Sequence, residues 1–468
     1  MHVSSGDNNF ASLVRGRLEN LPISGWHAMV FLICASVLLC DSADQFLIIS
    51  IAPLLIREWG ITSAQVGLVI AATGIGGMFG APLFGALADR IGRRKCMALS
   101  IGIYSFFTGC AALSQNVTEL TAIRAFAGFG LGGVVPVTLA YVGEYSPTKW
   151  RGRVIAWWNS MFAFGIPLAG AVGLWVILPY GWRWGFVVGA LPVVIIAFVW
   201  WLPESVRYLV SQGKSEESLK TIERVEKAVL GREKAASVAA EHRAASDSIL
   251  AAGAAIQGSQ VRGWRAVKEM DARGMRGTMI ASAALWLLPS MIVLSSFFGV
   301  FLTQSKGMEL KAAIALVTAS SAFGPIGQFV AGFLSDWVGR RPTLALALSL
   351  LGTMPLFTFL VAESQSVVFF CLVLTWIGTS GIYGTAFGYT TEQLPTELRA
   401  GGLGIFEGLR RLGGAIAPAL VGLLYGATGL TPVLWIAFAT CLLVVMVIFA
   451  IGHETRGRPM VELAHPSC

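Results

Sequence analysis

Asp41 and Asp44 stand inside the first long apolar run of a 468-residue chain, and Arg124 stands inside another. Three residues apart, the two carboxylates share one helix face. They lie about fifteen residues into the run, near the mid-depth of a membrane at ~1.5 Å per residue. Ionisable groups at that depth are costly and default to a functional reading. Two carboxylates so placed should not both stay ionised, and a group that takes up and releases a proton inside a membrane is a proton carrier. The other reading is a structural pair satisfied by a neighbouring helix. Asp44 precedes Pro53 by nine residues and Arg124 follows Thr118 by six, so their depths match, roughly 14 and 9 Å from one side. A buried guanidinium needs a partner, and Asp41 or Asp44 is the most obvious one. Its planar fork also suits a substrate carboxylate, and both roles stay open. His27 and His453 fall at the ends of apolar runs, and His2, His242 and His465 in polar segments, so a histidine relay is not expected.

Other candidates are less specific. Arg410 and Arg411 follow Glu407 by three and four residues, a spacing for a local salt-bridge cluster. The alternative is that one arginine reaches a cavity and attracts an anion. Asn159 beside Trp157 and Trp158, Gln328, Trp376 and Tyr383 are uncharged candidates, and an aromatic substrate would stack on such rings. Each alone fits packing equally well. Gly128, Gly130, Gly132 and Gly133 imitate a dinucleotide loop but lie inside an apolar run, where they let membrane helices approach closely. Gly213-Lys214-Ser215 imitates the end of a phosphate loop, yet Tyr208 replaces the first glycine. No ATP motor is visible, so energy must come from a gradient or from the substrate. The seven cysteines show no metal-ligand spacing with histidine. No cofactor, metal or catalytic residue is expected.

Two phrases occur twice. Gly85, Asp89, Gly92, Arg93 and Arg94 are matched by Gly332, Asp336, Gly339, Arg340 and Arg341, at an offset of 247 (336 − 89). Tyr141, Glu144, Pro147 and Arg151 are matched by Tyr389, Glu392, Pro395 and Arg399, at 248 (392 − 144). Each copy ends an apolar run. The first phrase reads as a tight turn whose glycines permit positive φ and whose arginines can pair with acids on adjacent helices. Basic residues anchoring a loop to one side of a membrane is the simpler reading; the duplication of all five residues favours a specific latch. Two homologous apolar halves are the signature of a transporter with its site between them.

The elements that must position these residues follow from composition. Hydrophobic residues make up 55% of the chain and charged residues 13%, too apolar for a soluble protein of this length. Runs of roughly 20 residues, enough to span a bilayer, fall near 27–56, 64–88, 96–115, 118–143, 153–178 and 184–202. Six more fall near 276–303, 310–335, 343–362, 366–392, 402–425 and 431–452. The predicted class is an all-α membrane protein with twelve transmembrane helices in two six-helix bundles. The bundles occupy 27–202 and 276–452, flanked by a segment 1–26, a linker 203–275 and a tail 453–468. Residues 1–25 are polar and do not read as a secretory leader. Lys and Arg concentrate at Arg15, Arg17, Arg90 to Lys95, Lys149 to Arg153, Arg340, Arg341, Arg399, Arg456 and Arg458. That side is predicted to be cytoplasmic, with both termini on it. The net charge of +8 is mostly this excess and needs no nucleic acid. Within the linker, Ser215 to Lys234 predicts one or two amphipathic helices, and Ala235 to Ser259 is a low-complexity, Ala/Ser-rich stretch expected to be partly disordered.

Together with Arg124, Gly128, Gly130 and Gly132, Pro203-Glu204-Ser205 and Glu454-Thr455-Arg456-Gly457, the repeated loops resemble the major facilitator superfamily over nearly the whole chain. The resemblance implies a cavity opening alternately to each side. It also implies cytoplasmic latches of the outward-open state at Asp89, Arg93, Asp336 and Arg340. Glu144 with Arg151, and Glu392 with Arg399, look like the charge relay of sugar-porter-like members. Asp41-Ser42-Ala43-Asp44, followed by Pro53, is similar to the aromatic acid:H+ symporter family, which has Gly where Ser42 stands. Sugar porters share the Pro-Glu-Ser element, but Trp286 to Ile292 lacks their Gln-Gln-x-Ser-Gly pattern. The expected function is a proton-coupled symporter importing a small organic anion, an aromatic carboxylate. Asp41 and Asp44 would carry the proton, with Arg124, Asn159, Gln328, Trp376, Tyr383 and Arg410 for coupling or substrate. Its partners would be that anion, protons and the bilayer of the cell inner membrane, with the monomer as functional unit. A sugar or polyol transporter, and a transporter-like receptor that moves nothing, are the alternatives.

Overall fold

In hydrocarbon a backbone must satisfy its own hydrogen bonds, so apolar runs of this length become helices. The structure, a computed structural model, describes residues 17–18, 21–147, 149–231, 264–292, 294–394 and 396–455. Nine helices among them are long and apolar enough to cross a membrane. These are α1 (Gly25–Trp59), α2 (Ser63–Ile91), α4 (Val117–Tyr145), α5 (Arg153–Tyr180), α6 (Trp182–Val199), α8 (Leu310–Trp337), α9 (Arg340–Val361), α10 (Gln365–Gln393) and α12 (Leu430–Ile451). The other three depart from a plain apolar rod for visible reasons. The helix α3 (Arg93–Ala111) opens on Arg93, Arg94 and Lys95. The helix α11 (Thr396–Thr428) carries Glu407, Arg410 and Arg411. Between them, α7 (276–304) is interrupted: Arg276–Leu287 gives way at Pro289 to two 3₁₀ turns before Phe298–Gln304 resumes. Proline has no N–H for the helical ladder and breaks it there.

Local signals start and stop the spans. The Thr62 side chain and Gln65 form a capping box at the start of α2, and Asn116 and Ser364 cap α4 and α10. Gly60, at φ 63°, ends α1 in the left-handed region. Spans alternate in direction, so the two repeated loops and both described chain ends share one face, here the loop face. The described part of the linker after the first bundle lies there too. Its helix Ser215–Leu230 packs Ile222 and Val225 into the same apolar cluster as Leu38 and Leu202, and Glu226 forms a buried two-bond ion pair with Arg17. In the amphipathic stretch expected from Ser215 to Lys234, this helix ends at Leu230, where Gly231 turns at φ 82°, and residues 232–234 lie outside the described residues. The Ala/Ser-rich stretch from Ala235 to Ser259 lies outside the described residues.

The two bundles meet along a seam between α2 and α11. Residues 67, 74 and 85 fall on one face of α2, and 404, 408, 415 and 422 on one face of α11, by the 3.6-residue repeat. Toward the far face the seam is bare backbone. A methyl at Gly67 would strike the Pro418 carbonyl, and one at Gly422 the Ser63 carbonyl. At Gly74 it would lie 2.6 Å from the Ala415 Cα. Toward the loop face the same stripes separate: a methyl at Gly85, Gly404 or Gly408 would meet nothing within 4 Å. The helices are therefore pinched at the far face and splayed at the loop face. Between α5 and α8 a second contact, Gly170 against Thr318, sits at the pinched end.

Candidate functional site

The splayed helices enclose a cavity of about 210 Å³ lined from both bundles. Its charged lining residues are Arg124 on α4 and Glu407, Arg410 and Arg411 on α11. Rings come from Phe46, Trp158, Phe162, Phe298, Tyr383 and Phe387, and amide groups from Gln45, Asn159 and Gln328. Phe46 also borders a second void of about 10 Å³ toward the far face, so its ring separates the cavity from the pinched end.

The two aspartates have different environments. The Arg124 fork grips Asp44 from both sides, Nη1 to Oδ1 at 3.1 Å and Nη2 to Oδ2 at 2.9 Å. The Thr108 hydroxyl donates a third bond to Asp44 Oδ1 at 3.0 Å. Arg124 Nε bonds Thr73 Oγ1 at 3.2 Å, and its guanidinium lies over the Phe186 ring at 5.7 Å. Both side chains are almost wholly buried, and bidentate pairs of this kind are the strong ones. Asp41, equally buried, lies behind the cavity wall. Gln45 Nε2 donates to its Oδ2 at 3.1 Å, and its Oδ1 has no hydrogen-bond partner. The cations whose field reaches Asp41 are Arg411 and Arg410, both on the opposite bundle.

On α11, Arg410 is committed to Glu407 by two bonds, Nε to Oε2 at 2.8 Å and Nη2 to Oε1 at 2.6 Å. The Tyr383 ring lies 5.9 Å from its guanidinium. Arg411 is held more loosely. Its Nε approaches Glu407 at 3.4 Å without a hydrogen bond. Its Nη1 extends across the seam to within 3.1 Å of where a Gly77 side chain would begin. Glycine at 77 leaves room for that reach.

The repeated loops form two matching networks, each inside its own bundle. Gly92 turns at φ 97° and Gly339 at φ 121°, both against a carboxylate, Glu204 and Glu454. Glu204 accepts the Arg94 backbone N–H at 3.0 Å; Glu454 accepts those of Arg340 and Arg341 at 2.8 and 3.0 Å. Arg93 pairs with Glu144 and bonds the Ser205 hydroxyl at 2.8 Å. Arg340 pairs with Glu392 at 2.8 Å and with Asp336. The Ser205 hydroxyl donates to Glu144, and the Thr455 hydroxyl donates to Glu392. The Asp89 backbone carbonyl accepts from Gln212 at 3.4 Å. Arg151 donates to the Ser146 carbonyl at 3.3 Å. The Arg399 side chain lies outside the described residues.

The sequence profile described as sugar (and other) transporter matches residues 27–465. The chain belongs to this transporter family. Within the major facilitator superfamily, it is 30% identical over 458 residues to the niacin transporter NiaP of Acinetobacter baylyi, covering 96% of this chain and 98% of that one. It is 27% identical over 471 residues to the gallate transporter of Pseudomonas putida, covering 96% and 97%. In structure it resembles the partially occluded, inward-open xylose transporter XylE of E. coli, with a TM-score of 0.71 at 16% identity over 93% of this chain and all of that one. That likeness gives the major facilitator fold.

The transporter places Arg124, Asn159, Gln328, Tyr383 and Arg410 around its cavity. Trp376 is elsewhere: it is fully buried behind Phe46 and Phe298, 6.3 and 6.0 Å between ring centroids. Glu407, Arg410 and Arg411 belong to the cavity wall as well as to each other. Sequence reasoning passed over Gln45, whose signal was its place one helical turn after Asp41. It passed over Phe46 as well, which carries no sequence signal apart from its neighbours. The equivalence of Glu204 with Glu454 was signalled by their offset of 250 (454 − 204).

Proposed function

We propose that this transporter is a proton-coupled symporter for a small organic anion, an aromatic carboxylate, working by alternating access. The observation that carries the reading is the charge balance of the cavity. Asp44 cancels Arg124, and Glu407 cancels Arg410, each through two hydrogen bonds. Asp41 and Arg411 remain, on opposite bundles and without such partners. A proton on Asp41 removes its charge and leaves Arg411 in need of an anion, because a buried cation without a counter-charge is costly. Proton and anion therefore stabilise each other, which is the thermodynamic content of symport. The ring-lined walls suit a flat aromatic body, and a neutral sugar would leave Arg411 uncompensated. The relatives named for niacin and gallate, both aromatic acids, support the substrate class.

The excess of basic residues on the loop face supports a cytoplasmic loop face, which makes the splayed conformation inward-open and the direction import, in a cell inner membrane. In the opposite state the splayed stripes would close, bringing the Asp89 and Asp336 loops against the other bundle as latches. The test is uptake of niacin, gallate and xylose into proteoliposomes with and without an imposed pH gradient. Gradient-driven accumulation of an aromatic acid, with proton entry recorded by an internal dye, is expected. Accumulation of xylose alone would establish a sugar transporter. Binding without movement of any solute would establish a receptor.

A further inference from the structure

We propose that the Gln45 carboxamide is the switch that turns a proton on Asp41 into a hydrogen-bond donor for the anion. This rests on the symporter reading above. Gln45 lines the cavity, whereas Asp41, one turn earlier on α1, lies behind the wall. The Gln45 bond is the one hydrogen bond described for the Asp41 side chain. The titratable groups around Asp41 are Cys40 and Asp44 on α1, Tyr104 on α3, and Arg410 and Arg411 on α11. Arg124 of α4 is committed to Asp44. Among the described residues, Gln45 alone both hydrogen-bonds the Asp41 side chain and lines the cavity.

A carboxamide has two donors at one end and an acceptor at the other. With Asp41 ionised, the carboxylate takes Nε2, and the end left for the cavity is the carbonyl Oε1. A carbonyl oxygen repels a carboxylate. A protonated Asp41 is itself a donor, and its natural partner is Oε1. A half-turn of the amide about its Cγ–Cδ bond satisfies that bond and delivers the NH₂ end to the cavity. The proton moves no further than Asp41, and no covalent bond forms or breaks elsewhere. The wall of the cavity changes from anion-repelling to anion-binding while the proton stays out of substrate contact. Arg411 offers its guanidinium fork to the carboxylate from the opposite bundle; Gln45 makes that attraction conditional.

The experiment measures niacin, gallate and benzoate binding to purified full-length protein by calorimetry, at mildly acidic and mildly alkaline pH. Wild type should bind more tightly at acidic pH by roughly tenfold, the factor carried by one hydrogen bond to a charged group. Gln45→Leu keeps the shape and removes both ends of the amide, so the ratio of its affinities at the two pH values should fall well below the wild-type ratio, to what the Asp41–Arg411 charge coupling alone supplies. Gln45→Asn keeps the polarity but is one methylene too short, and should flatten the profile in the same way; it stands in where Gln45→Leu fails to fold. A merely structural role would weaken binding equally at both pH values. Wild-type pH dependence in either variant overturns the inference while leaving symport intact. Wild-type binding that is itself independent of pH for all three acids overturns the symporter reading, and the inference with it.

Discussion

Asp44 and Arg124, both almost wholly buried, hold each other through two hydrogen bonds. Removing one partner of such a pair strands the other and costs about 3–5 kcal/mol. Asp44→Asn and Arg124→Leu should therefore each lower membrane yield and melting temperature, and the double variant should recover both. If the double variant is no better than the worse single one, the two side chains do not act as a pair. For Asp41 the expectation differs, since it lacks such a partner. Asp41→Asn should lose gradient-driven uptake yet keep counterflow exchange, which moves no net proton; equal loss of both would remove Asp41 from coupling. Arg411→Lys should lose most anion uptake, because an ammonium cannot present a planar fork to a carboxylate, and uptake near wild type would exclude the bidentate role. Asp41, Asp44 and Arg124 were legible as candidates because a charge inside an apolar run announces itself. The choice between Arg410 and Arg411 was not legible. Adjacent residues point about 100° apart around a helix, and only the packing of Ala415 on Gly74 sets which one faces across the seam.

At the scale of elements, the α2–α11 seam is backbone on backbone at its far end and empty at its near end, an arrangement that would let it rock in the alternating access proposed above. Gly67→Ala places a methyl against the Pro418 carbonyl, a contact that a rigid backbone cannot relieve. The pinched end must open and the splayed end must close. A cysteine introduced at Gly408, labelled from the loop face, should react more slowly in the Gly67→Ala background than in its absence. Unchanged or faster labelling would show that the two ends of the seam move independently. The spans themselves were readable from apolar length, because lipid imposes helix on any such run. The break in α7 was not: the proline is visible at 289, but whether a membrane helix kinks or changes to 3₁₀ there depends on what its neighbours offer the freed carbonyls. Trp376 was beyond reach for the same reason. An aromatic residue in an apolar helix has no period of its own, and its burial behind Phe46 is decided by helices far away in sequence.

Across the whole molecule the duplicated phrases foretold two related bundles, and each carries its own loop-face network. Glu204 and Glu454 do the same work in different bundles. Distant sites with no shared partner add to within about 0.3–0.5 kcal/mol. The stability losses of Glu204→Gln and Glu454→Gln, read from chemical denaturation, should therefore sum in the double variant. A clear excess or shortfall would mean the networks communicate. The third member of each network was hard to see in sequence, since Pro203-Glu204-Ser205 and His453-Glu454-Thr455 share one identical residue; the hydroxyls match in chemistry and not in name. One feature of α11 reaches into pharmacology. The helix runs unbroken for 33 residues, about 50 Å, and bears Arg411 midway between its pinched and splayed stripes. A short carboxylate held at Arg411 leaves the splayed stripe free to shut. A carboxylate with a rigid tail lodged between Gly85 and Gly404 would be gripped as firmly and would wedge the stripe apart. Cargo and inhibitor would then differ in length rather than in headgroup, and a series of acids of growing tail should pass from transported to blocking without any loss of affinity.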